Sequence, residues 1–325
     1  MSDNSRISWT SATWSPVTGC TRISDGCLNC YIERTPPFRM SGRKFTSPCP
    51  QCRGDGLVLA RPGDRTTVCD TCHGGGRVRT HEVGSSTGVR LHPERLDQPL
   101  RWRKPRRVFV CSMADLFHQD VSAVYIAEVW AVMARSPRHT FQVLTKRHRR
   151  MQSLLTSTLF LNRVRDHFLN YGPWSEIPWP LPNVHLGVSV ESQQWADIRI
   201  PALLDTPAAV RWVSAEPLLG AVDLCNCHPG GFLPSTYEGV QEHCNIHGRN
   251  GVSWLVAGGE SGPGARPMDA EWARDLHKQC AAAGVPFFFK QYGAVAAREL
   301  GLTGAGSDPS EWPEAWPQEY PAVAP

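Results

Sequence analysis

Ten of the twelve cysteines in this chain fall into three groups, and their spacing decides what chemistry they can do. Cys20, Cys27 and Cys30 form a C-x6-C-x2-C run. Three thiolates can hold a four-iron, four-sulfur cluster and leave one iron open to a ligand. They can also hold tetrahedral zinc with one open position, or stand as reduced thiols without metal. Cys49, Cys52, Cys69 and Cys72 form C-x2-C-x16-C-x2-C, the spacing of a closed four-thiolate zinc site whose role is structural. Cys225, Cys227 and Cys244 lie among His228, His243 and His247. They suggest a second zinc site built from Cys225, Cys227, Cys244 and His247, with His228 able to replace Cys227. Cys111 and Cys280 stand alone and read as small buried hydrophobes.

The setting favours metal over disulfides. The N-terminus, MSDNSRISWTSATW, has no apolar run with a cleavage site, and no stretch approaches the ~18 apolar residues of a membrane span. We therefore expect a cytoplasmic protein with no membrane partner, in a compartment where thiols stay reduced. The net charge of +4 is mild, so any case for nucleic acid rests on local runs. Two runs are dense, RWRKPRR at 101–107 and KRHRR at 146–150. The second follows an apolar run and offers Lys146, Arg147, Arg149 and Arg150 as phosphate contacts. The first leads into a strand and is expected at the opposite end.

The elements that must position these residues alternate. RVFVCS, HTFQVLT, NVHLGVSV, AVRWVSA, SWLVAGG and VPFFFKQ are short apolar runs separated by amphipathic stretches such as VSAVYIAEVWAVMAR, SQQWADIRIPALLDT and AEWARDLHKQCAAAG. This is the pattern of βα units on a parallel sheet. A strand within ISWTSATW makes seven, a number that suits a partial or complete (β/α) barrel, with an open doubly wound sheet as the alternative. The barrel is expected over 1–46 and 84–302. Two small Cys-rich insertions interrupt it at 47–83 and 225–248, and an irregular tail covers 303–325. In such barrels the site lies at the C-terminal strand ends. Those ends deliver Ser112 and Asp115, Lys146, Ser189 and Glu191, Glu216, Gly258, Gly259 and Glu260, and Lys290. The glycine pair is expected to let backbone approach a ligand.

These stretches carry a resemblance. A three-cysteine loop after the first strand of a (β/α) barrel resembles the radical S-adenosylmethionine superfamily, although the usual first gap is three residues and this one is six. WTSATWSPVTGCTRISDGCLNCYIER, LHPERLDQPLRWRKPRRVFVCSMADLFHQD, FQVLTKRHRRM, LPNVHLGVSVE, RWVSAEPLLGAVDL, VAGGESGPGARPMD and GVPFFFKQYG together resemble a phage-associated three-cysteine family of radical-SAM-like proteins. The resemblance implies a [4Fe-4S] cluster on Cys20, Cys27 and Cys30 that binds S-adenosyl-L-methionine. An electron from a donor such as flavodoxin or ferredoxin would cleave the sulfonium, and the resulting 5′-deoxyadenosyl radical would take a hydrogen from the substrate. Ser112, Asp115, Ser189, Glu191, Gly258 and Gly259 would hold the cofactor, and Glu216, Glu260 and Lys290 would serve as catalytic residues facing the substrate. Tyr31 could pack on the cluster or be a core aromatic. The Cys-x2-Cys-x-Gly-x-Gly halves resemble the zinc module of the DnaJ chaperones. The expected function is modification or isomerisation of a group on nucleic acid, of the phage base-hypermodification kind. The alternatives are a non-catalytic zinc- and cluster-containing nucleic-acid-binding protein, or a radical enzyme acting on a protein or small metabolite.

Overall fold

A computed structural model describes residues 5, 7–59, 66–170, 177–224 and 251–322. The chain forms two compact units. One joins Met1–Thr18 to Leu91–Pro325, and the other is Gly19–Arg90. The expected insertion at 225–248 lies outside the described residues.

The larger unit is built on seven parallel strands: β1 (Ala12–Trp14), β2 (Arg107–Val110), β3 (Thr140–Thr145), β4 (Val184–Ser189), β5 (Val210–Ala215), β6 (Trp254–Gly258) and β7 (Phe287–Gln291). They lie side by side in chain order. A doubly wound sheet reverses its order at a switch point. This one does not, and β1 and β7 remain its two edges, which makes it a half-barrel. The central strands β4 and β5 are buried at every position, as parallel strands covered on both faces must be.

The two faces differ. Phe287 packs on His277 of the helix Ala270–Ala283, with ring centroids 5.2 Å apart. Phe288 turns the other way and meets Trp254 and Tyr320 at 6.4 and 5.4 Å. On that inner face Trp9, Phe109, Trp212, Trp254, Val256 and Phe288 form one buried cluster. The Trp9 carbonyl accepts from Gln142 Nε2 at 3.2 Å, so the N-terminal segment is pinned across this face. Gly187 is required here: a Cβ on it would stand 2.5 Å from the Trp212 indole. The helices that cover the outer face have local reasons to start and stop. Ser122 and Ser157 cap Ala123–Ala134 and Thr158–Leu169 through their hydroxyls, Asp269 caps Ala270–Ala283, and Gly284 ends that helix at φ +65°. Cys111 and Cys280 are buried as expected.

The tail has little regular structure, yet it packs. Trp316 stacks on Phe289 at 4.2 Å, and Gln318 bridges to Phe288. Among the described residues no helix is long and apolar enough to cross a membrane.

The smaller unit holds both described cysteine groups. Thr87 N donates to Cys20 O and Cys20 N to Thr87 Oγ1, both at 3.0 Å, and Thr46 and Ser86 exchange backbone hydrogen bonds. These ties group the Cys20–Cys30 loop with the 47–83 segment rather than with the strands.

Candidate functional site

In the smaller unit, two antiparallel ribbons, Thr46–Pro48 with Arg77–Arg79 and Leu57–Leu59 with Thr66–Val68, carry the four-cysteine site. Cys49 Sγ and Cys69 Sγ are 3.7 Å apart, and Cys52 Sγ and Cys72 Sγ are 3.6 Å apart. Zinc–sulfur bonds of about 2.3 Å in a tetrahedron put the sulfurs ~3.8 Å apart. The geometry therefore fits one tetrahedral ion, and the group could hold a metal ion such as zinc. The two halves repeat each other. Gly56 N–H donates to Cys52 Sγ and Gly76 N–H to Cys72 Sγ, both at 3.2 Å. Gly54, Gly56, Gly74 and Gly76 all have positive φ. A Cβ on Gly56 would overlap the Gly74 carbonyl, and one on Gly76 would overlap the Gly54 carbonyl. Burial raises the Cys52 thiol, but the amides of Gly54 and Gly56 and the neighbouring sulfurs more than offset it, bringing its pKa down to about 7. Cys49, Cys52 and Cys69 are themselves the buried core of this module, with Val58, Cys72 and Val78 around them.

Cys20, Cys27 and Cys30 are half-buried, and they do not converge as the other four do. Short 3₁₀ turns at Asp25–Cys27 and Tyr31–Arg34 shape their loop. Gly19 enters it at φ +93°, where a Cβ would overlap the Gly88 carbonyl. Arg22 spans the loop from inside. Its Nε donates to Cys27 O at 3.1 Å, and its Nη1 to Thr80 O and Ser85 Oγ. Burial lowers the Arg22 pKa, while Glu33, Cys30 and Cys27 pull it back up, so the guanidinium and the thiolates attract. Tyr31 is 42% exposed.

In the larger unit the polar strand ends form three ionic groups. After β2, Asp115 accepts from Thr145 Oγ1 (2.8 Å), Lys146 N (3.1 Å) and Phe117 N (3.0 Å), and pairs with Arg147 at 3.3 Å. After β4, fully buried Glu191 pairs with Lys146 and with Arg199, which is 2.6 Å away. Arg199 also donates to the Ser189 carbonyl at 2.8 Å and lies over the Trp195 ring. On the other side of the rim, Lys290 Nζ pairs with Glu216 at 2.7 Å, and Ser214 Oγ donates to the same carboxylate at 3.2 Å. Glu260 is held on both oxygens by Arg266, through its backbone N–H, Nε and Nη2. Ser112 is half-buried beside Asp115 in sequence.

Several expected roles change on this geometry. A Cβ on Gly259 would overlap the Tyr292 carbonyl, and one on Gly258 would stand 3.2 Å from Glu216 Oε1. Close packing of strand ends explains the Gly259 position without a ligand. In KRHRR, Lys146 and Arg147 are tied to Glu191 and Asp115, and Arg150 donates to the carbonyls of His118 and Val121. Arg149 is the exposed member. In the 101–107 run, Arg107 opens β2 and lies 4.0 Å from the Tyr320 ring centroid, at the N-terminal strand ends. Cys225, Cys227, Cys244 and His247 lie outside the described residues. Sequence reasoning missed Thr145, Ser214, Arg199 and Arg266. Arg199 had a signal, because it sits between Ala196 and Ile200 on the buried stripe of the helix Gln193–Leu204.

Neither curated proteins nor solved structures give a match to the chain. The family described as "Protein of unknown function (DUF5131)" matches residues 4–315, and with nearly the whole length covered the chain belongs to that family.

Proposed function

We propose that the chain is an iron–sulfur enzyme of the radical S-adenosylmethionine type that modifies or isomerises a group on nucleic acid. The observation that carries this reading is the Cys20–Cys30 loop, three half-buried thiols gathered in one short segment with C-x6-C-x2-C spacing. A single ion needs its thiolates within about 4 Å of one another. In a four-iron cluster each thiolate binds a different iron. Cys20, Cys27 and Cys30 would hold three irons and leave the fourth open. When bound, such a cluster supplies the electron for reductive cleavage of S-adenosylmethionine.

The chain's own residues do the positioning. Asp115 and Glu191 fix Lys146 and Arg147 at the strand ends. Lys290 and Glu216, paired at 2.7 Å and 23% and 12% exposed, would face the substrate. An electron donor of the flavodoxin or ferredoxin type completes the requirement.

The test is anaerobic reconstitution. The expected result is about four iron and four sulfide per chain, lost in Cys27→Ala, with 5′-deoxyadenosine formed on reduction with S-adenosylmethionine. Zinc alone, with no iron or sulfide, overturns the reading. One observation favours a second reading, a nucleic-acid-binding protein without turnover. Asp115, Glu191 and Glu260 each already bind two or more donors, and Glu216 meets Lys290 and Ser214, so all four rim carboxylates are engaged. Cluster-loaded protein that forms no 5′-deoxyadenosine selects that role.

A further inference from the structure

The charge of this chain is unevenly divided. Residues 19–90 carry 11 Lys and Arg against 6 Asp and Glu, while the rest of the chain carries 23 against 24. The smaller unit thus has a formal charge of +5 and the larger −1. Four thiolates around a divalent ion lower the smaller unit to +3 and leave the sign unchanged.

The dense basic run that sequence alone points to is mostly spent. Lys146, Arg147 and Arg150 bind inside the larger unit, and Arg149 alone of the four is exposed. In the smaller unit the balance is reversed. Among the described residues Arg34, Arg39, Arg53, Arg77, Arg79 and Arg90 are exposed, against four exposed carboxylates. The metal module holds several of them in place. Arg77 is braced on Thr46 by Nε (2.8 Å) and Nη2 (2.6 Å), and Arg79 on Glu33 at 3.0 Å with its side chain 68% exposed. Arg53 follows Cys52 at φ +53°, a conformation uncommon for a residue with a side chain. His73 occupies the matching position after Cys72, at φ +49°. Basic or imidazole side chains thus stand after the second cysteine of each Cys-x2-Cys pair.

We infer that the metal-bearing unit Gly19–Arg90 is the phosphate-binding surface of this protein, and that its ligand is a nucleic acid backbone. The inference rests on the nucleic-acid reading above and relocates the contact from the 146–150 run. Phosphate contacts from braced guanidiniums supply sequence-independent affinity and orientation. A rigid module with cysteines for a core suits that task, because its arginines lose little freedom on binding.

The experiment measures anisotropy of labelled duplex and single-stranded oligonucleotides with metal-loaded full-length chain, from 50 to 200 mM salt. Each lost phosphate contact lowers the log–log salt slope by about 0.9, which shrinks the affinity drop across that range about 3.5-fold. Arg39→Gln and Arg53→Asn should each do this, and the pair together about 12-fold. Arg39→Lys and Arg53→Lys should keep the slope, and zinc content reports that each variant is folded. Arg149→Gln should leave the slope unchanged. A slope that responds to Arg149→Gln and not to Arg39 or Arg53 overturns the inference while leaving a nucleic-acid substrate in place. Wild-type protein with no salt-dependent binding overturns both, and 5′-deoxyadenosine formation then shows whether the cluster chemistry survives.

Discussion

Replacing Arg199 with Met tests whether the rim is held by a buried ionic network. Arg199 and Glu191 are both fully buried and 2.6 Å apart, with Lys146 on the other carboxylate oxygen. At an effective dielectric near 20, attraction at that separation is about 6 kcal/mol. Part of it returns in the variant, because an arginine no longer has to be stripped of water and methionine fills much of its volume. Breaking a buried pair by removing one partner typically costs about 3–5 kcal/mol, chiefly from the charge left behind. We expect Arg199→Met to lose that much in urea denaturation at pH 7. The diagnostic is the double variant. Arg199→Met with Glu191→Gln removes the carboxylate left short of a partner and should recover at least half of the loss, so that, with the cost of Glu191→Gln alone added, the coupling exceeds about 2 kcal/mol. If the two single costs simply add, the carboxylate was not stranded, and the network does not hold the rim together.

Two further outcomes follow from the same geometry. Cys69→Ser should release about one zinc per chain and unfold the 47–83 ribbons, seen as rapid proteolysis there, while iron bound at Cys20, Cys27 and Cys30 is retained, because the ligand sets are separate. Burial holds His118 and His185 at about pH 4 rather than 6.5. The folded state keeps both neutral while the unfolded chain takes up protons. Stability is therefore unaffected above pH 6.5 and is lost as pH falls from there toward 4, by about 2 kcal/mol per histidine between pH 7 and 5. His185→Gln should remove its share of that slope in denaturation at the two pH values, and an unchanged slope would show that His185 is not buried as a neutral group.

The strands and their ends were legible because alternation of short apolar runs with amphipathic stretches places a residue along a parallel sheet almost without reference to its neighbours. Asp115, Glu191, Glu216, Glu260 and Lys290 could be assigned to one rim on that basis alone. Their partners could not. Arg266 lies six residues past Glu260 in a Gly-Pro segment with no periodicity, and nothing in GPGARP says that its guanidinium turns back onto both carboxylate oxygens. Lys146 looks like a phosphate contact in KRHRR until Glu191, 45 residues later, claims it. The unit boundary was hidden for the same reason. The ties from Cys20 to Thr87 join residues 67 apart, across a segment whose composition suggested a self-contained insertion.

The four-cysteine module shows where spacing alone does suffice. Its sequence has too few apolar residues for a core, so only the sulfurs can gather its ribbons, and the glycines after each Cys-x2-Cys pair are fixed by the need to turn amides onto those sulfurs. Ligand spacing, glycine positions and core are one constraint seen three ways, which is why the sequence predicts the geometry. The strand-end rim has no such redundancy. With Asp115, Glu191 and Glu260 bound by neighbouring donors, their carboxylates position other groups. Lys290 and Glu216 form the remaining pair, with Ser214 on the same carboxylate.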